Sequence, residues 1–315
     1  MSFIFLFPGQ GSQSINMMDP FSQSAIVRDT FNEASEILGK DMWTIAQEGP
    51  EEKLALTVNT QPLMLISDIA MYRQWCELDG PSAELMAGHS LGEYSALVAA
   101  DALSFTDAVP LVQTRAELMQ AAVPDGVGAM AAILGLGDEE IINACQIATD
   151  LEGGTAEPAN FNAPGQVVVA GNRRTVEKAI EVAKELGAKR AMLLPMSVPS
   201  HCGLIKPAAE AFAKVLETTE IHEPKAQIIH NDNVCTAATS SEIKERLKRQ
   251  LFSPVRWVET IQWSIAQNIK IGIECGPGKV LAGLGKRIEK TFKVLPVNTP
   301  DAMKSSIENL VERSA

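Results

Sequence analysis

The stretch that most constrains this chain is Gly88-His89-Ser90-Leu91-Gly92. A short apolar run, Leu85-Met86-Ala87, precedes it. Glu93 to Ala100, a good helix former, follows it. Strand, sharp turn and helix in that order place Ser90 at a nucleophile elbow. The glycines serve two needs: the turn requires unusual backbone angles, and strand and helix must cross with no Cβ between them. The helix that begins after Ser90 aims its free N–H groups where an oxyanion would form. Gly and Ser are abundant, so the string alone is weak; the strand before and the helix after give it weight.

The 315 residues suffice for two domains, or for one domain with an insertion. With 46% hydrophobic and 21% charged residues, the chain reads as a soluble globular protein. A formal net charge of −12 argues against nucleic acid or an anionic membrane as partner. Ser2 to Phe7 is too short and lacks the basic lead of a secretory signal. No apolar run approaches the roughly twenty residues of a membrane span. The five cysteines are odd in number, widely spaced and without a C-x-x-C pair. Reduced cytoplasmic thiols are expected, with neither a disulfide framework nor a metal site. A monomer is expected.

Phe3 to Phe7 reads as a buried strand, followed by a tight polar loop from Pro8 to Gln13. That loop lacks the third glycine of a dinucleotide fingerprint, because Ser14 stands there. Its better use is to turn backbone N–H groups into a cleft beside the elbow. Helices are expected from Phe21 to Leu38, from Gln61 to Glu77 with Thr60 as cap and Pro62 in the first turn, and from Ser104 to Ala122. Between Gly128 and Leu194 the order is β-α-β-β-α-β, with a turn at Asn162-Ala163-Pro164-Gly165, which is the ferredoxin-like unit. After a stiff loop from Pro195 to Cys202, helices and strands alternate again. Gly276-Pro277-Gly278-Lys279 is not a P-loop, since Val280 replaces the required Ser or Thr. The expected fold is therefore α/β: a large, α/β-hydrolase-like domain with a mostly parallel sheet, residues 1–125 and 196–315, carrying a small ferredoxin-like domain, residues 126–195.

A serine hydroxyl needs a base to become a nucleophile. Of the four histidines, His89 adjoins Ser90 but points elsewhere on a sharp turn, His222 lies in a charged loop, and His230 lies on a buried strand. His201 ends the rigid loop between the two domains and is the favoured base. Cys202 beside it is a rival nucleophile, read as a core or cleft-wall thiol. Arg115 sits among Leu111, Val112, Leu118 and Met119. It is either a solvated face residue or a buried anion clamp, and its helix alone favours the solvated face.

Six strings occur in order: Phe7-Pro8-Gly9-Gln10-Gly11-Ser12-Gln13, Gly88 to Ser95, Gly128-Ala129-Met130, Asn160-Phe161-Asn162-Ala163-Pro164-Gly165-Gln166, Ser200-His201, and Glu274-Cys275-Gly276-Pro277-Gly278. Together they resemble the malonyl-CoA:acyl carrier protein transacylases of type II fatty acid synthesis, over nearly the whole chain. The resemblance implies transfer of malonyl from malonyl-CoA to the phosphopantetheine thiol of acyl carrier protein, through a malonyl-serine. It implies Ser90 as nucleophile and His201 as base. The oxyanion hole would be formed by the Gln10 and Leu91 N–H groups, and Arg115 would bind the malonyl carboxylate. It further implies that the Gln250 backbone carbonyl orients the histidine, that Asn162 and Gln166 line the cleft near the coenzyme, and that no cofactor is bound. Ala116 departs from the glycine usual after the family's arginine. Because an acidic carrier protein needs a basic rim, Lys189-Arg190 and Lys286-Arg287 are docking candidates. The rival readings are a serine hydrolase and a carrier-binding module without chemistry.

Overall fold

The computed structural model describes residues 2–196 and 198–312. Ser197, within the expected loop from Pro195 to Cys202, lies outside them, as do residues 313–315 of the expected second segment.

The chain opens with β1 (Ile4–Phe7), buried throughout. Its period of two divides the core. Phe3, Phe5 and Phe7 face one side, where Phe5 meets Trp75 edge-on at 5.3 Å between ring centroids. Ile4 and Leu6 face the other side with Leu85, Ala87 and Trp257. The first half continues through α1 (Ala25–Leu38), α2 (Met42–Glu48), α3 (Glu51–Ala55), α4 (Thr57–Glu77), β2 (Leu85–Gly88), α5 (Gly92–Ala99) and α6 (Phe105–Ala122). Next come β3 (Gly128–Leu134), α7 (Asp138–Glu152), β4 (Ala156–Ala163), β5 (Gln166–Asn172), α8 (Arg173–Glu185) and β6 (Arg190–Leu193). The second half holds α9 (Lys206–Thr218), β7 (Gln227–Ile229), α10 (Ser240–Gln250), α11 (Trp257–Ala266), β8 (Ile271–Glu274), α12 (Val280–Ile288), β9 (Lys293–Pro296) and α13 (Pro300–Glu312).

Two sheets result, and the fold is mixed α/β. The larger, in the order β7-β2-β1-β8-β9, is parallel throughout. Phe7 is in register with Gly88, so the loops leaving β1 and β2 emerge side by side at the carboxyl edge. Ligands of open parallel sheets bind at that edge. The smaller sheet, in the order β4-β5-β3-β6, is antiparallel. One of its faces packs on α7 and α8. The other carries Met130, Ala159, Val168 and Ala170 against Cys202. Backbone bonds of 2.9 Å from Val255 N–H to Ala159 O and from Phe161 N–H to Val255 O tie β4 to the segment before α11. No helix among the described residues is long and apolar enough to cross a membrane.

Several element ends differ from expectation. The helix expected from Phe21 starts at Ala25, where the Ser24 hydroxyl caps the Val27 N–H; Phe21 closes a separate 3₁₀ turn. The helix expected from Gln61 starts at Thr57, with Pro62 inside it. Thr60 does not cap that helix. Its hydroxyl donates to Leu54 O at 2.6 Å, holding α3 to α4. The turn expected at Asn162–Gly165 is tighter, because β4 runs through Asn162 to Ala163. Helix α7 runs to Glu152 and stops where Gly153 turns left-handed, φ 70°.

Candidate active site

The elbow is tight. Ser90 has φ 51°, a left-handed conformation that costs a non-glycine residue about 1–2 kcal/mol. Its flanks must be glycine: a Cβ on Gly88 would lie 1.8 Å from the Gly92 carbonyl carbon, and one on Gly92 would lie 2.1 Å from Phe7 O. Asn231, just past β7, braces the turn. Its Oδ1 accepts the Ser90 N–H at 2.7 Å, and its Nδ2 donates to Gly88 O at 2.7 Å.

His201 also has positive φ, 62°, and its N–H donates to Leu251 O at 3.0 Å. Its Nδ1 lies 2.8 Å from the Gln250 backbone carbonyl. A carbonyl only accepts, so Nδ1 carries the proton and Nε2 of the neutral ring is an acceptor. Nε2 lies 2.7 Å from Ser90 Oγ, which donates to it. Burial, then the nearby Arg115 charge, push the His201 pKa down to about 3, against the opposing pull of the Gln250 carbonyl. The ring is thus neutral, with the Nε2 lone pair directed at Ser90 Oγ.

The other histidines are placed differently. His89 turns away from Ser90, with Nε2 2.8 Å from Asn162 Oδ1 and its ring against Trp257. His222 is exposed, 3.5 Å from Glu220. His230 is buried, with Nδ1 2.7 Å from Glu93 Oε1.

Arg115 corrects the expectation of a solvated face: it is 1% exposed. Helix α6 packs between α4 and α9, and the guanidinium reaches inward to the elbow. Nη2 donates to Gln250 Oε1 at 2.9 Å and lies 3.4 Å from Ser90 Oγ, at the long limit of a hydrogen bond. Nη1 donates to Gln61 Oε1 at 2.5 Å. Nε has no partner among the described residues, and the Tyr94 ring lies beneath the guanidinium at 5.3 Å. Burial lowers the Arg115 pKa, but arginine stays charged at any working pH. Ala116, the departure from the family pattern, is fully buried and accommodated.

Gln10 follows β1 and sits against the elbow: a Cβ on neighbouring Gly9 would lie 2.3 Å from His89 O and 3.5 Å from the Leu91 nitrogen. Leu91 caps α5. Among the described residues neither the Gln10 nor the Leu91 N–H has an acceptor. Asn162 lies beside the elbow through its bond to His89. Gln166 opens β5, and its Oε1 accepts from Arg287 Nη1. Cys202 is buried, its Sγ 3.0 Å from Pro199 O, and burial raises its pKa to about 12. It is a thiol, not a thiolate, and so a poor nucleophile. Among the described residues no group of three His, Cys, Asp or Glu side chains could hold a metal ion.

A cavity of about 490 Å³ opens beside Gln10, walled by Ile15, Leu54 and Ala55 on one side and Leu194 and Met196 on the other. A larger one, about 760 Å³, lies at the opposite end of the parallel sheet, near Ser2, Leu85 and Gln227, away from Ser90.

Residues that sequence reasoning missed complete the site. Gln61 and Asn231 carry no local signal, since each reaches it from a distant segment. Glu93 stood inside the elbow string. It is fully buried and accepts from Asn231 N–H at 3.0 Å and Gln250 Nε2 at 2.9 Å.

The acyl transferase domain family matches residues 4–307. Over 307 residues the chain is 47% identical to the malonyl CoA-acyl carrier protein transacylase of Escherichia coli (strain K12), covering 97% of this chain and 99% of the relative. To the protein of that name from Bacillus subtilis (strain 168) it is 44% identical over 311 residues, covering 98% of each. Among solved structures, the malonyl CoA-acyl carrier protein transacylase of Coxiella burnetii superposes with a TM-score of 0.96, at 46% identity over 98% of each chain. A malonyl-transacylase solved with a type II PKS acyl-carrier protein gives 0.96 at 45% identity, covering 98% of this chain and 100% of that one. The chain belongs to the acyl transferase family and, within it, to the malonyl CoA-acyl carrier protein transacylases.

Proposed function

We propose that this enzyme transfers malonyl from malonyl-CoA to the phosphopantetheine thiol of acyl carrier protein, for fatty acid synthesis, through a malonyl ester on Ser90. One observation carries the reading: Ser90 Oγ stands between a neutral base, His201 Nε2 at 2.7 Å, and a buried cation, Arg115 Nη2 at 3.4 Å. A base beside a hydroxyl serves any acyl transfer. A buried guanidinium beside the same hydroxyl suits an acyl group with a free carboxylate.

In the first half-reaction Ser90 Oγ attacks the thioester carbon and His201 Nε2 takes its proton. The tetrahedral oxyanion is held by the Gln10 and Leu91 N–H groups; the Ser90 N–H is already taken by Asn231. Losing one such donor typically costs about 10²–10³ in rate. The C–S bond breaks, and coenzyme A leaves with the proton from His201. The carrier's thiol then gives its proton to His201 and attacks the ester carbon, and Ser90 recovers its proton as the ester bond breaks. The cycle is ping-pong and takes place within one chain, which supports a monomer needing no bound cofactor. The cytoplasm, where coenzyme A thioesters are made, is the compartment we assign.

The finer architecture belongs to this reading too. The β-α-β-β-α-β order and the strand order β4-β5-β3-β6 support a ferredoxin-like small domain over residues 126–195. The elbow at the carboxyl edge of a parallel sheet supports a hydrolase-like large domain over 1–125 and 196–315. The apolar cavity beside Gln10 suits a pantetheine arm, with Asn162 and Gln166 lining the approach for the coenzyme. The exposed basic pairs Lys189-Arg190 and Lys286-Arg287 are the proposed carrier-docking rim.

Incubation with labelled malonyl-CoA tests the function. A stable acyl-enzyme discharged only by carrier protein supports transfer. Rapid release of free malonate would mean a hydrolase, and absence of label a binding module.

A further inference from the structure

Gln250 bonds the site twice over. Its backbone carbonyl holds His201, as already described. Its buried side chain makes separate bonds: Oε1 accepts from Arg115 Nη2 at 2.9 Å, and Nε2 donates to Ser90 O at 2.8 Å and to Glu93 Oε2 at 2.9 Å. The direction of this amide is dictated from both ends. A guanidinium only donates and a backbone carbonyl only accepts. Turning the amide over would set its NH₂ against Arg115 and its oxygen against Ser90 O. Glu93, anchored by Asn231 N–H and His230, adds a further acceptor on the NH₂ side.

Arg115 therefore hangs from two neutral carbonyls, Gln61 Oε1 on Nη1 and Gln250 Oε1 on Nη2. Two anchors fix the plane of the fork; one would let it swing. A bidentate grip on a carboxylate depends on that plane, whereas simple charge attraction does not.

We propose that the Gln250 side chain is a positioning residue that sets malonyl selectivity, with Glu93 and the Ser90 carbonyl fixing the end it presents to Arg115. This rests on the malonyl-transfer reading above. The two functions of Gln250 are separable, because its backbone carbonyl survives any change of side chain. Side-chain loss should weaken the acceptance of a diacid monothioester and leave the histidine oriented.

The test compares wild type, Gln250→Met and Gln250→Glu, each exposed to malonyl-CoA or acetyl-CoA, by the initial rate of acyl-enzyme formation. Met keeps the length but offers Arg115 no carbonyl. Glu keeps the shape, but its carboxylate would occupy the guanidinium and face Ser90 O. The malonyl-to-acetyl ratio is expected to fall at least about tenfold in both, equivalent to about 1.4 kcal/mol. In Gln250→Met, which adds no charge, the pH dependence of acylation should not move, which separates this role from support of His201. If Gln250→Met fails to fold, the near-isosteric Gln250→Glu decides. An unchanged ratio, or equal losses with both donors, overturns the proposal. A wild type that takes no malonyl overturns the transfer reading and this inference with it, an outcome visible before any variant is tested.

Discussion

Arg115 Nη2 lies 3.4 Å from Ser90 Oγ, although Arg115 stands buried on α6 and Ser90 in the turn between β2 and α5. A cation held that close to a nucleophile lowers the proton affinity of neighbouring His201. It also leaves a buried cation whose hydrogen-bond partners, Gln61 and Gln250, are neutral, and which an anionic acyl group would complement. An acetyl group would bring it no counter-charge.

Arg115→Ala should accordingly lose malonyl transfer by about a hundredfold or more, the order expected when one partner of a buried charge pair is removed. Acetyl or longer acyl transfer should be retained or rise. Rates of acyl-enzyme formation with the two thioesters measure this. An unchanged malonyl preference would remove Arg115 from the account.

The pH profile follows from the histidine. A base works only when neutral, and His201 is held near 3, far below the ordinary value of about 6.5. The acylation rate should thus stay flat from about pH 5 to 8, with no acid limb near the ordinary histidine value. In Arg115→Ala the limb should move upward, since a cause of the depression is gone. For stability the sign is definite. A depressed histidine pKa contributes above the unfolded value of about 6.5 and is progressively lost as pH falls toward 3. Thermal melts between pH 4 and 7 should show that decline, and His201→Gln should flatten it.

Gly92→Ala tests the crossing of β1 and α5. The added methyl would lie 2.1 Å from Phe7 O, and backbone cannot yield as a flexible side chain does. Destabilisation of about 1–3 kcal/mol or more is expected, read as a lowered midpoint in urea, with acylation slowed because Ser90 shifts. A melt equal to wild type would contradict the close crossing.

What the sequence disclosed was mostly local. The elbow was legible because its glycines, strand and helix are contiguous. The small sheet was legible because apolar periodicity in β3, β5 and α8 does not depend on distant partners. The start of α4 was misread because a capping rule was applied to Thr60, whose hydroxyl is instead spent on Leu54 O. Edge strand β9 is short and partly exposed, too weak a pattern to stand out. Arg115 shows the limit most plainly. Its helix argued for solvent, while its burial depends on Gln61 and Gln250, 54 and 135 positions away. Resemblance to a family supplied a role that spacing could not. Gln61, Asn231 and the side chain of Gln250 lay beyond both.

Intact-protein mass spectrometry after brief exposure to malonyl-CoA tests the central claim most directly. Wild type should gain a single malonyl group, lose it on addition of carrier protein bearing phosphopantetheine, and gain far less from acetyl-CoA; Ser90→Ala should gain nothing. A malonyl adduct that persists in Ser90→Ala, or a wild type acylated equally by both thioesters, would contradict it.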